Sequence, residues 1–243
     1  MKEETHYLLG RENLKIVQSN QCFSFSLDSM LLPNFVTLNL RTKKILDIGC
    51  GNAPIPLIMS ERSKAHIVGV EIQEEAYQMA KKSVQLNHKE DQIAIIHDDI
   101  HHYATLFDHE EYDVITCNPP YFEYQSSSIV NDNQQKTIAR HDKMLKMEDI
   151  MKISRKLLKN NGILALVQRP ERLVDIITLM RKSNIEPKKM LLIYPKKGKE
   201  ANILLIEGMK NGKPGLKILD PIYSHNEQHE YSDELKKFLR MNG

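Results

Sequence analysis

The chain has 243 residues, 41% of them hydrophobic and 27% charged, enough for one substantial core and too apolar for a disordered or miniature protein. Its 34 Lys and Arg against 32 Asp and Glu leave a net charge of +2, which excludes a strongly basic histone-like binder while permitting local basic patches. Three cysteines, Cys22, Cys50 and Cys117, stand far apart without a CxxC pair, which argues against a disulfide framework, a zinc knuckle or a thioredoxin-type site and fits a reducing, cytoplasmic compartment.

The opening residues, Met1 to His6, are polar, and no apolar run approaches the ~18 residues of a spanning helix, so neither secretion nor membrane insertion is expected. Residues 1–43 fit no simple alternation and are read as an N-terminal extension. From residue 44 onward, short β-branched runs alternate with helical patterns, which marks an α/β domain over residues 44–243. The strands are expected at residues 44–48, 66–71, 92–97, 112–117, 162–167, 190–194 and 203–207. Most are nearly continuous apolar runs, as a mostly parallel sheet covered on both faces requires. Helices are expected at residues 53–60, 74–87, 149–158 and 171–182; the second has Glu74 and Glu75 in its first turn, where the helix dipole favours acids. The last two strands are compatible with an antiparallel hairpin at the sheet edge, and residues 208–215 read as a linker-like turn. The stretch 123–143 is polar and fits the pattern poorly.

Three constellations follow successive strands. Asp47-Ile48-Gly49-Cys50-Gly51-Asn52 ends the first strand and Glu71 ends the second. A Gly-x-Gly turn lets backbone approach a ligand, and an acid closing the next strand can accept both hydroxyls of a ribose. Alone, the Gly-x-Gly would serve equally as a tight connection; Glu71 favours a nucleoside crevice, although Pro54 stands where a dinucleotide loop has its third glycine. Asp98-Asp99 follows the third strand and could receive an exocyclic amine, or equally make a turn or cap a helix. Asn118-Pro119-Pro120-Tyr121 follows the fourth strand. Its prolines end the sheet pairing and present carbonyl acceptors at the carboxyl edge. The Asn118 side-chain oxygen and the Pro119 carbonyl could each bind one N–H of a poorly nucleophilic conjugated amine, and Tyr121 offers a stacking face. A proline-rich turn with a buried Tyr is the plainer alternative. Cys117 precedes this motif inside a strand and reads as core rather than as a nucleophile.

With these residues the chain resembles the class I S-adenosylmethionine-dependent methyltransferases, and Asn118-Pro119-Pro120-Tyr121 is similar to the motif of the amino-methylating branch. The resemblance implies a Rossmann-like, doubly wound seven-stranded sheet, mostly parallel with an antiparallel edge strand. It implies Asp47, Gly49 and Gly51 as the cofactor loop, Glu71 as the ribose acid and Asp99 as an adenine contact. Within that branch the chain resembles the bacterial tRNA1(Val) adenine-37 N6-methyltransferases, through the leader Phe23-Ser24-Phe25-Ser26-Leu27-Asp28-Ser29-Met30-Leu31-Leu32, the stretch Ala139-Arg140-His141 and the late segment Pro221-Ile222-Tyr223. By that resemblance the extension packs over the cofactor, with Asp28 a contact to its methionine portion, Asn118 also touching cofactor, and Pro120, Tyr121 and Arg140 touching substrate.

The reaction implied is direct methyl transfer to the exocyclic amine of an adenine in the anticodon loop of a tRNA, with catalysis by Asn118, Pro119 and Tyr121 and without a metal. A loop base costs less to unstack than one in a duplex. Lys188, Lys189, Lys196, Lys197 and Lys199 form a sequence cluster that could contact phosphate or remain a solvated surface. Two alternatives stay open: a protein glutamine N5-methyltransferase, for whose helical substrate domain the residues before Asp47 leave little room, and a non-catalytic RNA-binding relative.

Overall fold

The computed structural model describes residues 3–19, 26–119 and 145–241. Pro120, Tyr121, Arg140 and His141 lie outside the described residues, as do Cys22 and the start of the leader, Phe23-Ser24-Phe25. The extension begins with β1 (Glu3–Leu8) and β2 (Arg11–Ser19), paired antiparallel around Gly10, and continues into α1 (Leu27–Phe35). Then come β3 (Lys44–Ile48), α2 (Pro54–Arg62), β4 (His66–Glu71), α3 (Glu74–Leu86), β5 (Ile93–His97), the single turn α4 (Tyr103–Leu106) and β6 (Tyr112–Cys117). The second half holds α5 (Met147–Leu157), β7 (Leu158–Gln168), α6 (Leu173–Lys182), β8 (Ile185–Tyr194), β9 (Ile203–Lys210), the short β10 (Lys217–Ile218) and β11 (Ile222–Tyr223), and α7 (Asp233–Leu239).

All seven expected strands form one sheet, in the order β10-β8-β9-β7-β6-β3-β4-β5, with β11 also pairing on β8. Pairing is parallel except that β9 runs antiparallel to both β7 and β8. As expected, the last two long strands form an antiparallel hairpin toward the sheet edge; its antiparallel member is β9, which lies between β7 and β8, with the short β10 and β11 beyond β8. The reason is geometric. Helix α6 carries the chain past a slot beside β7 before β8 is laid down, and the short return through residues 195–202 can only bring β9 back antiparallel into that slot. The burial of β9 along nearly its whole length fits an interior position.

Successive strand residues point to opposite faces and feed two cores. Ile45 and Val114 join a cluster with Leu14, Ile16, Met30 and Leu57 from the hairpin, α1 and α2, while Leu46 and Ile115 join Ile150, Ile153 and Met180 from α5 and α6. The extension is thus part of the main core. Its backbone is also sutured to α3: the Lys15 N–H donates to Asn87 at 2.9 Å, and the Val17 N–H to the Ser83 hydroxyl at 3.0 Å.

Two expectations fail for packing reasons. Gly208 does not start a linker but lies inside β9, where an added Cβ would sit 2.3 Å from Met180 Cε and 2.9 Å from the Glu186 carbonyl. The five lysines do not cluster either, because Lys188 and Lys189 lie near the start of β8 while Lys196, Lys197 and Lys199 follow its end. Lys189 is turned inward: its Nζ donates to the Phe35 carbonyl at 2.8 Å and the Thr37 hydroxyl at 2.7 Å, and lies 3.1 Å from the Glu207 carboxylate. Glu207 in turn accepts from the Thr37 N–H and hydroxyl at 2.9 and 2.7 Å, fastening the end of α1 to β9. Among the described residues, no helix is long and apolar enough to cross a membrane.

Candidate active site

The strand order reverses between β3 and β6: β3 leads through α2 to β4 on one side, while β6 lies on its other side. Crevices for ligands open at the carboxyl ends of strands at such a switch point, and Asp47, Gly49, Gly51, Glu71, Asp98, Asp99, Asn118 and Pro119 lie at or just after the carboxyl ends of β3 to β6. The loop after β3 has left-handed backbone at Gly49 (φ 67°), Gly51 (φ 56°) and Ala53 (φ 71°). At Gly49 and Gly51 an added Cβ would meet no protein atom within 4 Å. Glycine is needed there for its φ, and the loop borders open space that a ligand can fill. Gly69 in β4 has the opposite role, since a Cβ would come within 2.7 Å of Cys50 Sγ; it makes room for the loop and carries no recognisable motif.

Glu71, at the end of β4 and 4% exposed, straps the loop in place. One carboxylate oxygen accepts from the Gly51 N–H at 2.9 Å and the other from the Gln73 N–H at 2.8 Å. A carboxylate has about four lone-pair sites, so each oxygen keeps capacity for a ligand hydroxyl. The loop is further held by the Gly49 and Cys50 N–H groups on the Val70 carbonyl, and by the Asn52 amide donating to the Val17 carbonyl at 2.8 Å. This last bond is how the N-terminal hairpin reaches the site.

Asp47 is fully buried. Its Oδ1 accepts from the Thr116 hydroxyl at 2.7 Å, which ties β3 to β6, while its Oδ2 is sealed in with no hydrogen-bond partner among the described residues. Burial pushes this carboxyl up to about 7; the Thr116 bond opposes the rise and the nearby Glu71 charge adds to it. A buried carboxyl oxygen without a partner, a loop bordering open space and an acid with spare acceptor capacity together suit a polar, nucleoside-bearing ligand.

Asp98 and Asp99 follow β5 beside Glu71, with the Asp98 N–H on the Glu71 carbonyl at 3.2 Å. Asp99 Oδ1 accepts from the His101 N–H at 2.9 Å and faces His101 Nδ1 at 2.7 Å, so it caps the single 3-10 turn of residues 100–102. Asp98 pairs with His102 at 2.7 Å, and that bond holds its carboxyl below the usual range. Asn118, half-buried, and Pro119, buried, end β6, the neighbour of β3, about 5 Å across the sheet from it. Asp28 is buried in the first turn of α1, where the Ser26 hydroxyl donates to it at 3.3 Å. Cys50 and Cys117 are buried, and burial raises both thiols well above their ordinary value, which suits core residues and not a nucleophile. Thr116, Gly69 and Gln73 are participants that sequence reading missed; only Thr116, a polar residue two before Asn118 in an apolar strand, carried a visible signal.

A family model described as a methyltransferase domain matches residues 40–220. The chain is 30% identical over 199 residues, 81% of each protein, to a tRNA1(Val) (adenine(37)-N6)-methyltransferase of Bacteroides thetaiotaomicron. It is 29% identical over 198 residues, 80% of each, to the protein of the same name from Parabacteroides distasonis. Among solved structures, a protein from Agrobacterium tumefaciens described as a predicted O-methyltransferase superposes with a TM-score of 0.68 at 21% identity, covering 88% of this chain and 96% of that one. A geranyl diphosphate methyltransferase in complex with geranyl diphosphate and sinefungin gives a TM-score of 0.56 at 10% identity, covering 76% and 78%.

Proposed function

The chain belongs to the methyltransferase-domain family and, within it, to the tRNA1(Val) (adenine(37)-N6)-methyltransferases, and we propose that it methylates the exocyclic N6 of an adenine in tRNA, adenine-37 of tRNA1(Val) as its relatives are named. When bound, S-adenosylmethionine supplies an electrophilic methyl group carried on a sulfonium sulfur. The residues that would hold it are Glu71 for the ribose hydroxyls, the Gly49–Gly51 loop with Asp47 and Asp28 for the methionine portion, and Asp99 for the adenine.

The observation that supports this reading most is the position of Asn118 and Pro119 at the end of β6, beside the loop after β3 and across the switch point from Glu71. An adenine amino group is a weak nucleophile because its lone pair is delocalised into the ring. The Asn118 side-chain oxygen and the Pro119 carbonyl each accept one N–H, which favours the tetrahedral nitrogen that can attack. Thr116 and Asp47 fix the end of β6 against β3, so these acceptors are positioned before substrate arrives. The proton released from the methylated amine passes to water, so no side-chain base is required. Pro120 and Tyr121 would take the face of the target base, and Arg140 a phosphate of the anticodon loop, by residue type and motif.

Incubation with labelled S-adenosylmethionine and unmodified tRNA, followed by nucleoside digestion, is expected to give N6-methyladenosine; label on a release-factor glutamine would overturn the assignment. Asn118→Ala is expected to keep S-adenosylhomocysteine affinity within about twofold while turnover falls ~10²–10³-fold. Equal loss of affinity and turnover would make Asn118 structural.

A further inference from the structure

Beyond the end of β8, and away from the loop after β3, a solvent-open cavity of about 640 Å³ is lined by Pro195, Lys196, Lys199, Glu200, His225 and His229. Resting on the tRNA reading above, we propose that this cavity is a second RNA-binding site, which takes a backbone phosphate of a single-stranded stretch beside the target base.

The cavity is built and not merely a lysine-rich turn. Its far wall, residues 222–232, is clamped to the end of β8: the Ser224 N–H donates to the Tyr194 carbonyl at 2.7 Å and the His225 N–H to the Pro195 carbonyl at 3.1 Å. His225 also pairs across a bridge with Tyr231, their rings 5.2 Å apart, and Ser224 Oγ lies 2.9 Å from His225 Nδ1. On this frame Lys196 Nζ stands 2.9–3.0 Å from the His229 ring nitrogens. An imidazole brings no negative charge, so the ammonium charge is not cancelled as it would be by a carboxylate, and it remains available to an anion. Among the described residues, the one carboxylate lining the cavity, Glu200, is exposed and can turn away.

Two further features select a nucleic acid strand over a free anion. Half-buried Tyr194 and Tyr223, with ring centroids 5.6 Å apart at the ends of β8 and β11, stand next to Pro195 and two residues before His225 in the chain and would offer aromatic surface to an unpaired base. Arg169, exposed and anchored through Nη1 to the Asn202 carbonyl at 2.8 Å, follows β7 and so lies between the cavity and Asn118 along the carboxyl edge. Three strand spacings separate the ends of β6 and β8, about 15 Å, a distance that a few nucleotides of an open loop can span. Along this edge the amine acceptor after β6 and the guanidinium after β7 are followed by the ammonium pair and the aromatic pair at the end of β8, groups that a single strand leaving the active site would meet.

The test uses a fluorescein-labelled anticodon stem-loop and the full chain, with binding read by anisotropy across a salt series. Lys196→Ala combined with Lys199→Ala is expected to weaken RNA binding at least tenfold near 0.1 M salt. It should also make the slope of log affinity against log salt shallower by about 0.7, the share of the one single-strand phosphate no longer neutralised, with S-adenosylhomocysteine affinity and melting temperature unchanged. Glu200→Gln should tighten RNA binding, whereas Lys188→Ala, at the other end of β8, should leave it as in the wild type. RNA affinity and salt slope unaffected by the double substitution would overturn the proposal even if the wild type methylates tRNA. RNA binding that depends on these lysines, in a wild type that methylates no tRNA, would keep this site and overturn the assigned reaction. A wild type that binds no RNA would overturn both.

Discussion

Replacing Asp47 by Asn tests the electrostatics of the site without touching any substrate assignment. In the folded protein the carboxyl is pushed up from 3.8 to about 7, first by burial and then by the charge of Glu71, against the Thr116 hydrogen bond. Each tenfold change in proton affinity corresponds to about 1.4 kcal/mol, so carrying the ionised form above pH 7 costs the ligand-free fold about 4 kcal/mol. Because the folded value lies above the unfolded one, the native state binds the extra proton between roughly pH 4 and 7. Stability from this group is complete below about pH 4, falls as pH rises, and levels off above about pH 7. An amide at position 47 keeps an oxygen for the Thr116 hydroxyl but does not titrate. The stability of Asp47→Asn minus that of wild type should therefore climb by about 4 kcal/mol from pH 4 to pH 7 and then stay flat. Urea denaturation of both ligand-free proteins across pH 4.5–8.5 measures this difference directly and cancels the titrations they share. A difference independent of pH would mean that Asp47 is solvated or paired in the folded protein, and the account of its sealed oxygen would fail.

Gly51→Ala places a Cβ in open space at φ 56°. It should cost about 1–2 kcal/mol of stability yet weaken S-adenosylhomocysteine at least tenfold by calorimetry, and unchanged affinity would show that the space above the loop is not the ligand's. Gly208→Ala should destabilise by about 1–3 kcal/mol, since the Glu186 carbonyl in the adjacent strand cannot yield as Met180 can; a neutral result in thermal melting would refute the packing argument. Glu207→Ala should cost about 2–4 kcal/mol by stripping Thr37 of two acceptors and leaving Lys189 without its carboxylate. Adding Lys189→Met should recover part of that loss, and strict additivity in urea melts would deny the coupling.

The apolar strands were legible because burial on both faces leaves little freedom of composition: residues 44–48, 66–71 and 112–117 are recovered with the same bounds. The carboxyl-edge residues were legible for a related reason. Glycines needing positive φ, an acid closing the next strand and a proline pair ending a third are local demands of chain geometry, and the fold brings the Asp47–Gly51 loop against Glu71. What local pattern could not convey was pairing at a distance. Nothing within residues 203–207 says which two strands they separate, and the neighbouring lysines at 188–189 and 196–199 look alike until β8 places them at opposite ends. The extension was equally opaque, because β1 and β2 are held by contacts to α3 and α2 rather than by a motif of their own. Asp99 illustrates the limit at a single side chain: its turn-capping role is present in the fold, and the same carboxylate is the one assigned to the cofactor's adenine.

The interior place of β9 also dictates when the sheet can be completed during synthesis. Until Lys210 has left the ribosome, β7 has one flank unpaired and β8 has no partner connecting it to the five strands β3 to β7, since both depend on the strand made after them. The nascent chain thus carries the bare, strongly apolar edge of β7 through the making of 42 residues (168 to 210) and that of β8 through 16 (194 to 210), the period in which a neighbouring chain could pair with them. Once β9 slides between them it forms two ladders at once, so closure is all-or-none. A chain cut short before residue 203 would leave both edges permanently open, with aggregation rather than a smaller enzyme as the outcome.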